Sequence, residues 1–326
     1  MASKQQPVAR TKDTKLVAAT SKHVPLGKKI RAHIELADPV TWISPAMITI
    51  CGALASGRTE SSFQWNRASD WGLVLLVALM TGPLGTGFSQ SINDYFDRDL
   101  DAINDPKRPI PAGLVTLNEA RINWLVLGGA TLAIALSLRN PLIIVMAVVG
   151  LILSVIYSMP PIKLKKNYWF GPLAVGLGYV SMSWIAGHAL FSPLTWQSIV
   201  VAVLHGCLTA GMLFLNDIKS VEGDRQHGMM SIAVALGMHK ALIVAYLTIN
   251  LSQTVLMILA FFWGYVWVGS LIGLSIILPI YNQVQLYKEP SQKNYIRYLI
   301  ASNPFAAMIQ IVSGFMVGGY FGGYFG

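Results

Sequence analysis

The chain has 326 residues, of which 54% are hydrophobic and only 12% charged, with a mean hydropathy of +0.53. Soluble domains carry about 25% charged residues, so a water-soluble globular protein is excluded, and no hydrophilic block is long enough to fold on its own. The net charge of +9 would suit nucleic acid, but its placement beside the apolar runs fits membrane topology instead, and no nucleic-acid partner is expected.

Residues 1–37 form a basic tail with Lys4, Arg10, Lys12, Lys15, Lys22, Lys28, Lys29 and Arg31. The tail lacks the apolar core of a secretory signal and is expected to be a flexible cytoplasmic arm that contacts anionic lipid. Residues 38–326 make one transmembrane domain. A helix needs about 20 apolar residues to cross the hydrocarbon core, and nine candidates meet or approach that length: 39–56, 71–92, 122–138, 141–158, 170–190, 197–215, 241–262, 265–286 and 302–322. The seventh and eighth are separated by a tight turn near Gly264. The expected fold class is therefore all-α, nine transmembrane helices around a central cavity. With the N-terminus cytoplasmic, the tail and the loops after even-numbered spans hold 21 of the 24 Lys and Arg residues, as the positive-inside rule requires. Cys51 and Cys207 lie in apolar runs and read as small buried hydrophobes.

Acidic residues are concentrated as sharply. Eight of the 15 occupy two short segments, after the second and sixth spans. In the first, Asp94, Asp97 and Asp101 stand at spacings 0, 3 and 7 and share one face of a helix, whereas Asp99 points elsewhere. Mg²⁺ prefers hard oxygen ligands and is commonly bridged through one or two carboxylates to substrate phosphates, so the register reads as a Mg-diphosphate clamp. The second segment matches the first at an offset of 123: Asn93 with Asn216, Asp94 with Asp217, Asp97 with Ser220 and Asp101 with Asp224. An even number of spans lies between them, which makes two half-repeats of parallel topology whose like helix ends can face one cavity. Asp94, Asp97, Asp101, Asp217 and Asp224 are the candidate metal ligands.

Cations stand near both clusters: Lys107 and Arg108 after the first, Lys219 and Arg225 in or after the second, and Lys163 and Lys165 after Tyr157 at the end of the fourth span. A guanidinium offers a planar fork and an ammonium a point charge to phosphate oxygens. Lys166 reads as an interfacial anchor.

The motifs Asn93-Asp94-x-x-Asp97-x-x-x-Asp101 and Lys107-Arg108-Pro109, with the segment Asn216 to Arg225, resemble those of the UbiA superfamily of intramembrane prenyltransferases. The second segment is similar to that of its chlorophyll and bacteriochlorophyll synthase branch, which shares Ser220 where many members have aspartate; Asp38 stands where a basic residue is expected. The resemblance implies a Mg²⁺-dependent enzyme that transfers a geranylgeranyl or phytyl group from its diphosphate, through an allylic cation, to the 17-propionate of chlorophyllide or bacteriochlorophyllide. It implies catalytic roles for Asn93, Asp94, Asp97, Asp101, Asn216, Asp217 and Asp224, and diphosphate contacts for Lys107, Arg108, Lys163, Lys165, Lys219, Arg225, Ser220 and Tyr157. It also implies residence in the cytoplasmic or photosynthetic membrane of a phototroph, with the site on the cytoplasmic side and pigment-protein assemblies as candidate partners. A quinone precursor or haem as acceptor, or cation transport, are the alternatives; carboxylates at a span end beside phosphate-type cations argue against transport, which places ionisable residues at mid-membrane. His188 and His205 read as helix-packing residues rather than axial ligands to a chlorin magnesium.

Overall fold

The computed structural model describes residues 24–216, 221 and 230–321. Described residues are almost wholly helical, apart from an isolated bridge between Asn167 and Met230. Helix α1, Leu26–Leu36, is followed by α2, Pro39–Leu54, and by the long α3, Ala68–Ile103. Then come α4, Leu117–Ser137; α5, Pro141–Ser158; α6, Phe170–Ala189; and α7, Trp196–Asn216. The short α8, Ile232–Leu236, precedes α9, Met238–Phe262; α10, Val266–Lys288; and α11, Gln292–Val317.

Eight of these helices, α3 to α7 and α9 to α11, are long and apolar enough to cross a membrane, and the chain is an integral multi-pass membrane protein. The expected first span, 39–56, is the shorter α2: a 3-10 turn at Pro39–Trp42 that runs into Ile43–Leu54. The end of the basic tail is not a bare arm. Ala32 and Leu36, one turn apart, bury themselves against Val115 and Ala120, and Lys29 pairs with Glu119, so residues 26–36 fold onto the start of α4.

Local chemistry sets the boundaries. Thr116 and Glu119 form a reciprocal capping box at the start of α4, which satisfies two otherwise orphaned N–H groups and begins the helix five residues before the expected span. Asn140 caps α5, with Pro141 in the first turn where its missing N–H costs nothing. Gly264 turns the chain between α9 and α10 with φ of 86°, a conformation open to glycine. Two helices carry π turns: α3 at Met80–Thr86, around Pro83, and α6 at Gly176–Ser181. Both lie beside the main cavity.

Small residues bring helices close, as membrane packing demands when lipid is as apolar as leucine. A Cβ on Gly52 of α2 would stand 2.0 Å from the Trp184 carbonyl oxygen of α6, and one on Gly187 of α6 equally close to that of Thr49 of α2. This contact fastens α2 to α6.

The offset of 123 extends far beyond the acidic segments. Shifted by that amount, α4 falls on α9, α5 on α10 and α6 on α11, with α3 meeting α7. The bundle is thus two sets of four helices in the same order, joined where α6 packs on α7.

Candidate active site

Helix α3 does not stop at the end of its apolar stretch but continues through the acidic segment, ending just before Pro106. Asp94, Asp97 and Asp101 therefore share a face, and their side chains are only 11%, 13% and 14% exposed. Three partly buried carboxylates need three counter-charges, because an unpaired buried charge is costly. The adjoining loops supply them. Arg108 pairs with Asp94 and lies 3.5 Å from Asp101. Lys163 stands 3.1 Å from one oxygen of Asp97, and Lys165 pairs with the other.

Lys165 also donates to Asn93 Oδ1 at 2.7 Å, and the buried Ser158 hydroxyl donates to the same atom at 3.2 Å. The end of α5 is thereby fastened to α3 at the height of the clamp. Lys163 adopts φ of 42°, a left-handed conformation that costs a non-glycine residue about 1–2 kcal/mol and that directs the loop so that both lysines meet one carboxylate. Burial lowers the pKa of Lys165, opposed chiefly by Asp97. Burial also works against the charge on Arg108, yet Asp94, Asp101, Asp105 and Asp38 together hold its pKa above the usual value. Asp38, the departure from the family pattern, is thus one of the acids around Arg108.

Just below the clamp, among α3, α4, α5 and α6, lies a cavity with an empty volume of about 750 Å³. Ser89, one turn before Asn93, and Tyr157, next to Ser158, line its clamp end. Hydroxyl groups in its wall are turned inward to the helices: Thr86 donates to the Thr81 carbonyl, Thr131 to that of Leu127 and Ser154 to that of Gly150, all within 3.0 Å. What remains facing the cavity is mostly hydrocarbon.

The donor chemistry fits a hard divalent cation, and one carboxylate oxygen, Asp101 Oδ2, is buried without a hydrogen-bond partner. Among the described residues, however, no three acidic, His or Cys side chains converge on one metal-sized point; the three aspartates turn to their cations instead.

Residues 46–303 match the UbiA prenyltransferase family. The chain belongs to this family. Its relatives include the chloroplastic chlorophyll synthase of Avena sativa, 38% identical over 282 residues that span 84% of this chain and 73% of that protein. The bacteriochlorophyll synthase 34 kDa chain of Chloroflexus aurantiacus is 36% identical over 257 residues, 79% of this chain and 81% of that one. The fold matches that of a UbiA homolog from Archaeoglobus fulgidus bound to GPP and Mg²⁺, with a TM-score of 0.63 and 17% identity over 88% of this chain and 99% of the other.

As a UbiA prenyltransferase, the chain is an enzyme of prenyl transfer, and its expected site residues divide into three groups. Asn93, Asp94, Asp97, Asp101, Arg108, Lys163 and Lys165 come together as one charged cluster, with Tyr157 in the cavity lining beside it. Lys107 lies exposed on its loop, as does Lys166, which was expected only as an interfacial anchor. Asn216 is at the end of α7, where its Oδ1 accepts a hydrogen bond of 3.0 Å from the Tyr295 hydroxyl; Asp217, Lys219, Ser220, Asp224 and Arg225 lie outside the described residues. Ser158 is a contributor that motif reading missed, since one hydroxyl at a span end carries no distinguishing pattern. His188 is a packing residue: its ring nitrogens meet Ser198 Oγ at 2.9 Å and the Pro193 carbonyl at 3.1 Å. His205 is wholly buried against Trp184.

Proposed function

We propose that the protein esterifies the 17-propionate of chlorophyllide or bacteriochlorophyllide with a geranylgeranyl or phytyl group taken from its diphosphate. The observation that carries this reading is a cluster of three carboxylates and three cations beside a largely apolar cavity, in a chain 36–38% identical to chlorophyll and bacteriochlorophyll synthases.

Asp94, Asp97 and Asp101, with Asp217 and Asp224 from the second segment, would hold Mg²⁺, which when bound neutralises charge on the leaving diphosphate. Arg108, Lys163 and Lys165 are the groups that exchange partners, leaving the aspartates to donate to phosphate oxygens. Such charge-assisted bonds, made in a poorly solvated site, strengthen as the leaving group gains charge. Lys219 and Arg225 serve the same diphosphate from the second segment, with Tyr157 and Ser220 as neutral donors. The bond between the prenyl C1 and its oxygen breaks, the electron pair leaves with diphosphate, and a propionate oxygen bonds to C1. The cavity keeps water from the allylic cation formed between these events.

A carboxylate acceptor has an ordinary pKa near 4 to 5, as Glu does, and arrives ionised, so no proton has to be moved. That accords with a cluster that, among the described residues, is made of carboxylates, an amide and cations. The cavity binds the tail at about 0.8 kcal/mol per buried CH₂. By the distribution of Lys and Arg, the N-terminus and the clamp face the cytoplasm; the nine-span topology belongs to the same reading.

The test is to incubate membranes holding the protein with Mg²⁺, geranylgeranyl diphosphate and chlorophyllide or bacteriochlorophyllide, and to look for esterified pigment. Formation that stops when Mg²⁺ is chelated is the expected result. Absence of an ester with either pigment would overturn the proposal.

A further inference from the structure

Asp38 carries a carboxylate that the clamp described above does not use. It joins α1 to the 3-10 turn of α2 with φ of 50° and ψ of 76°, in the left-handed region that few side chains besides those of asparagine and aspartate enter. The turn needs only its backbone: the Asp38 carbonyl accepts from the Thr41 N–H at 3.1 Å and from Thr41 Oγ1 at 2.7 Å, and the side chain caps nothing. Among the described residues no cation pairs with that carboxylate and no donor hydrogen-bonds to it, although the residue is partly buried. A backbone outlier that carries an unused charge calls for a functional account.

The neighbouring contacts fix where the charge stands. Ser91 Oγ of α3 donates to the Leu36 carbonyl at 3.5 Å, a Cβ on Gly87 would stand 3.1 Å from that of Ala37, and Trp42 Nε1 donates to the Ala37 carbonyl at 2.6 Å. Gly87, Ser91 and Asp94 follow one another at spacings 0, 4 and 7 and share one face of α3. The segment that ends at Asp38 is therefore strapped to the face of α3 that carries the clamp. From there its charge acts on three elements: on Asp94 of α3, on Arg108 of the adjoining loop and on Tyr179, which lines the cavity from α6. The three clamp carboxylates are matched by three cations, so Asp38 is an added negative charge. Asp105, another acid near Arg108, lies exposed to water.

The geometry points to Asp38 as a selector: its charge draws a divalent cation to the clamp and turns away a diphosphate that arrives without one, so that the prenyl diphosphate is taken up together with metal. This inference rests on the proposed reading that the clamp takes Mg²⁺ and a prenyl diphosphate. A carboxylate attracts a dication and repels a free diphosphate, so removing its charge has effects of opposite sign on the two. One carboxylate held about 8 Å from a divalent ion changes its affinity roughly sixfold in a medium of dielectric constant about 80, and more in a less polar site. Asparagine is the substitution that isolates the charge, since it keeps the side-chain size and tolerates the left-handed backbone.

The experiment measures binding of geranylgeranyl diphosphate to the full-length protein in lipid nanodiscs, without acceptor and at low ionic strength, where charges are least screened. One series titrates Mg²⁺; the other contains EDTA. Asp38→Asn should raise the Mg²⁺ concentration at half-saturation at least fivefold and, in EDTA, tighten diphosphate binding at least threefold. Asp38→Glu, which keeps the charge, should stay within threefold of the wild type in both series. A merely structural defect would weaken binding in both. Any result for Asp38→Asn in which the two shifts do not oppose each other overturns the selector, as does an Asp38→Glu variant that behaves like Asp38→Asn. Failure of the proposed function reads differently. A wild type that binds no geranylgeranyl diphosphate at any Mg²⁺ concentration sinks both readings, whereas opposed shifts in a protein that esterifies no pigment uphold the selector and sink the esterification alone.

Discussion

The two four-helix sets run in the same order, yet they enclose different interiors. Between α3, α4, α5 and α6 the empty volume is about 750 Å³; between α7, α9, α10 and α11 it is about 280 Å³. Matched positions explain the difference. Gly85, Ser89 and Val175, which line the first cavity, correspond at the offset of 123 to Leu208, Met212 and Tyr298, which fill the second. A reciprocal amide pair, Asn250 with Gln283 at 3.1 Å in both directions, crosses the second interior, with the Tyr298 hydroxyl within 3.5 Å of Gln283. The lesson is that one backbone plan serves two ends: the first set keeps an open interior, which the proposed reading assigns to the tail, and the second fills the same room with packing and polar ties. In the proposed reading both sets still contribute an acidic segment to one site.

The strongest test of that division is to remove one aspartate from each set. Asp94→Ala and Asp217→Ala should each lower kcat/KM for esterification at least a thousandfold, with unchanged membrane yield and thermal stability. Near-normal turnover in either variant would break the claim that the two segments act on one diphosphate. Next in size is the contrast within one loop. Arg108→Ala should cost about a hundredfold, because Arg108 serves both Asp94 and Asp101 and is meant to fork onto phosphate. Lys107→Ala should stay within threefold, since its side chain lies exposed on the same loop. Equal losses in a kinetic assay would show that proximity in sequence, not orientation, decides the role.

A third test grafts the second interior onto the first. Val175→Tyr places the counterpart of Tyr298 in the first cavity and should raise KM for prenyl diphosphate about twentyfold while leaving the melting temperature within a few degrees. The reverse change, Tyr298→Val, should not create tail binding. It should instead destabilise the protein by about 2–4 kcal/mol, the cost of a cavity and of lost hydrogen bonding in a filled interior. Both are read by denaturation and prenyl diphosphate binding with the protein in lipid nanodiscs.

Much of the clamp was legible before any coordinates because charged residues are scarce in an apolar chain, and scarcity makes spacing informative. The 0, 3, 7 register of Asp94, Asp97 and Asp101 needed only that the helix continue past its apolar stretch, and α3 does. What could not be read is set by tertiary contacts. Whether Lys107 or Arg108 turns inward depends on the course of the loop past Pro106, not on residue type. The fold of residues 26–36 was hidden because Lys28, Lys29 and Arg31 dominate the composition, while burial rests on only Ala32 and Leu36. The cavity itself is lined by π turns and small residues, Gly85, Gly150 and Gly178 among them, which leave no periodic signal.

The smallest expected effect bears on how the first set holds its clamp rather than on the clamp's charges. Asn93 Oδ1 accepts from two donors, Lys165 and Ser158. Ser158 is wholly buried at the end of α5 and its hydroxyl donates to Asn93, so its action on substrate runs through the orientation of the Asn93 amide. Ser158→Ala removes one of two bonds, each worth about 1 kcal/mol net, and Lys165 still holds the oxygen. The variant should therefore raise KM for prenyl diphosphate about threefold to fivefold with kcat nearly unchanged, and Ser158→Thr, which keeps the hydroxyl, should restore it. A fall in kcat without a change in KM would place Ser158 in the chemical step instead, and the clamp would then extend from α3 onto α5.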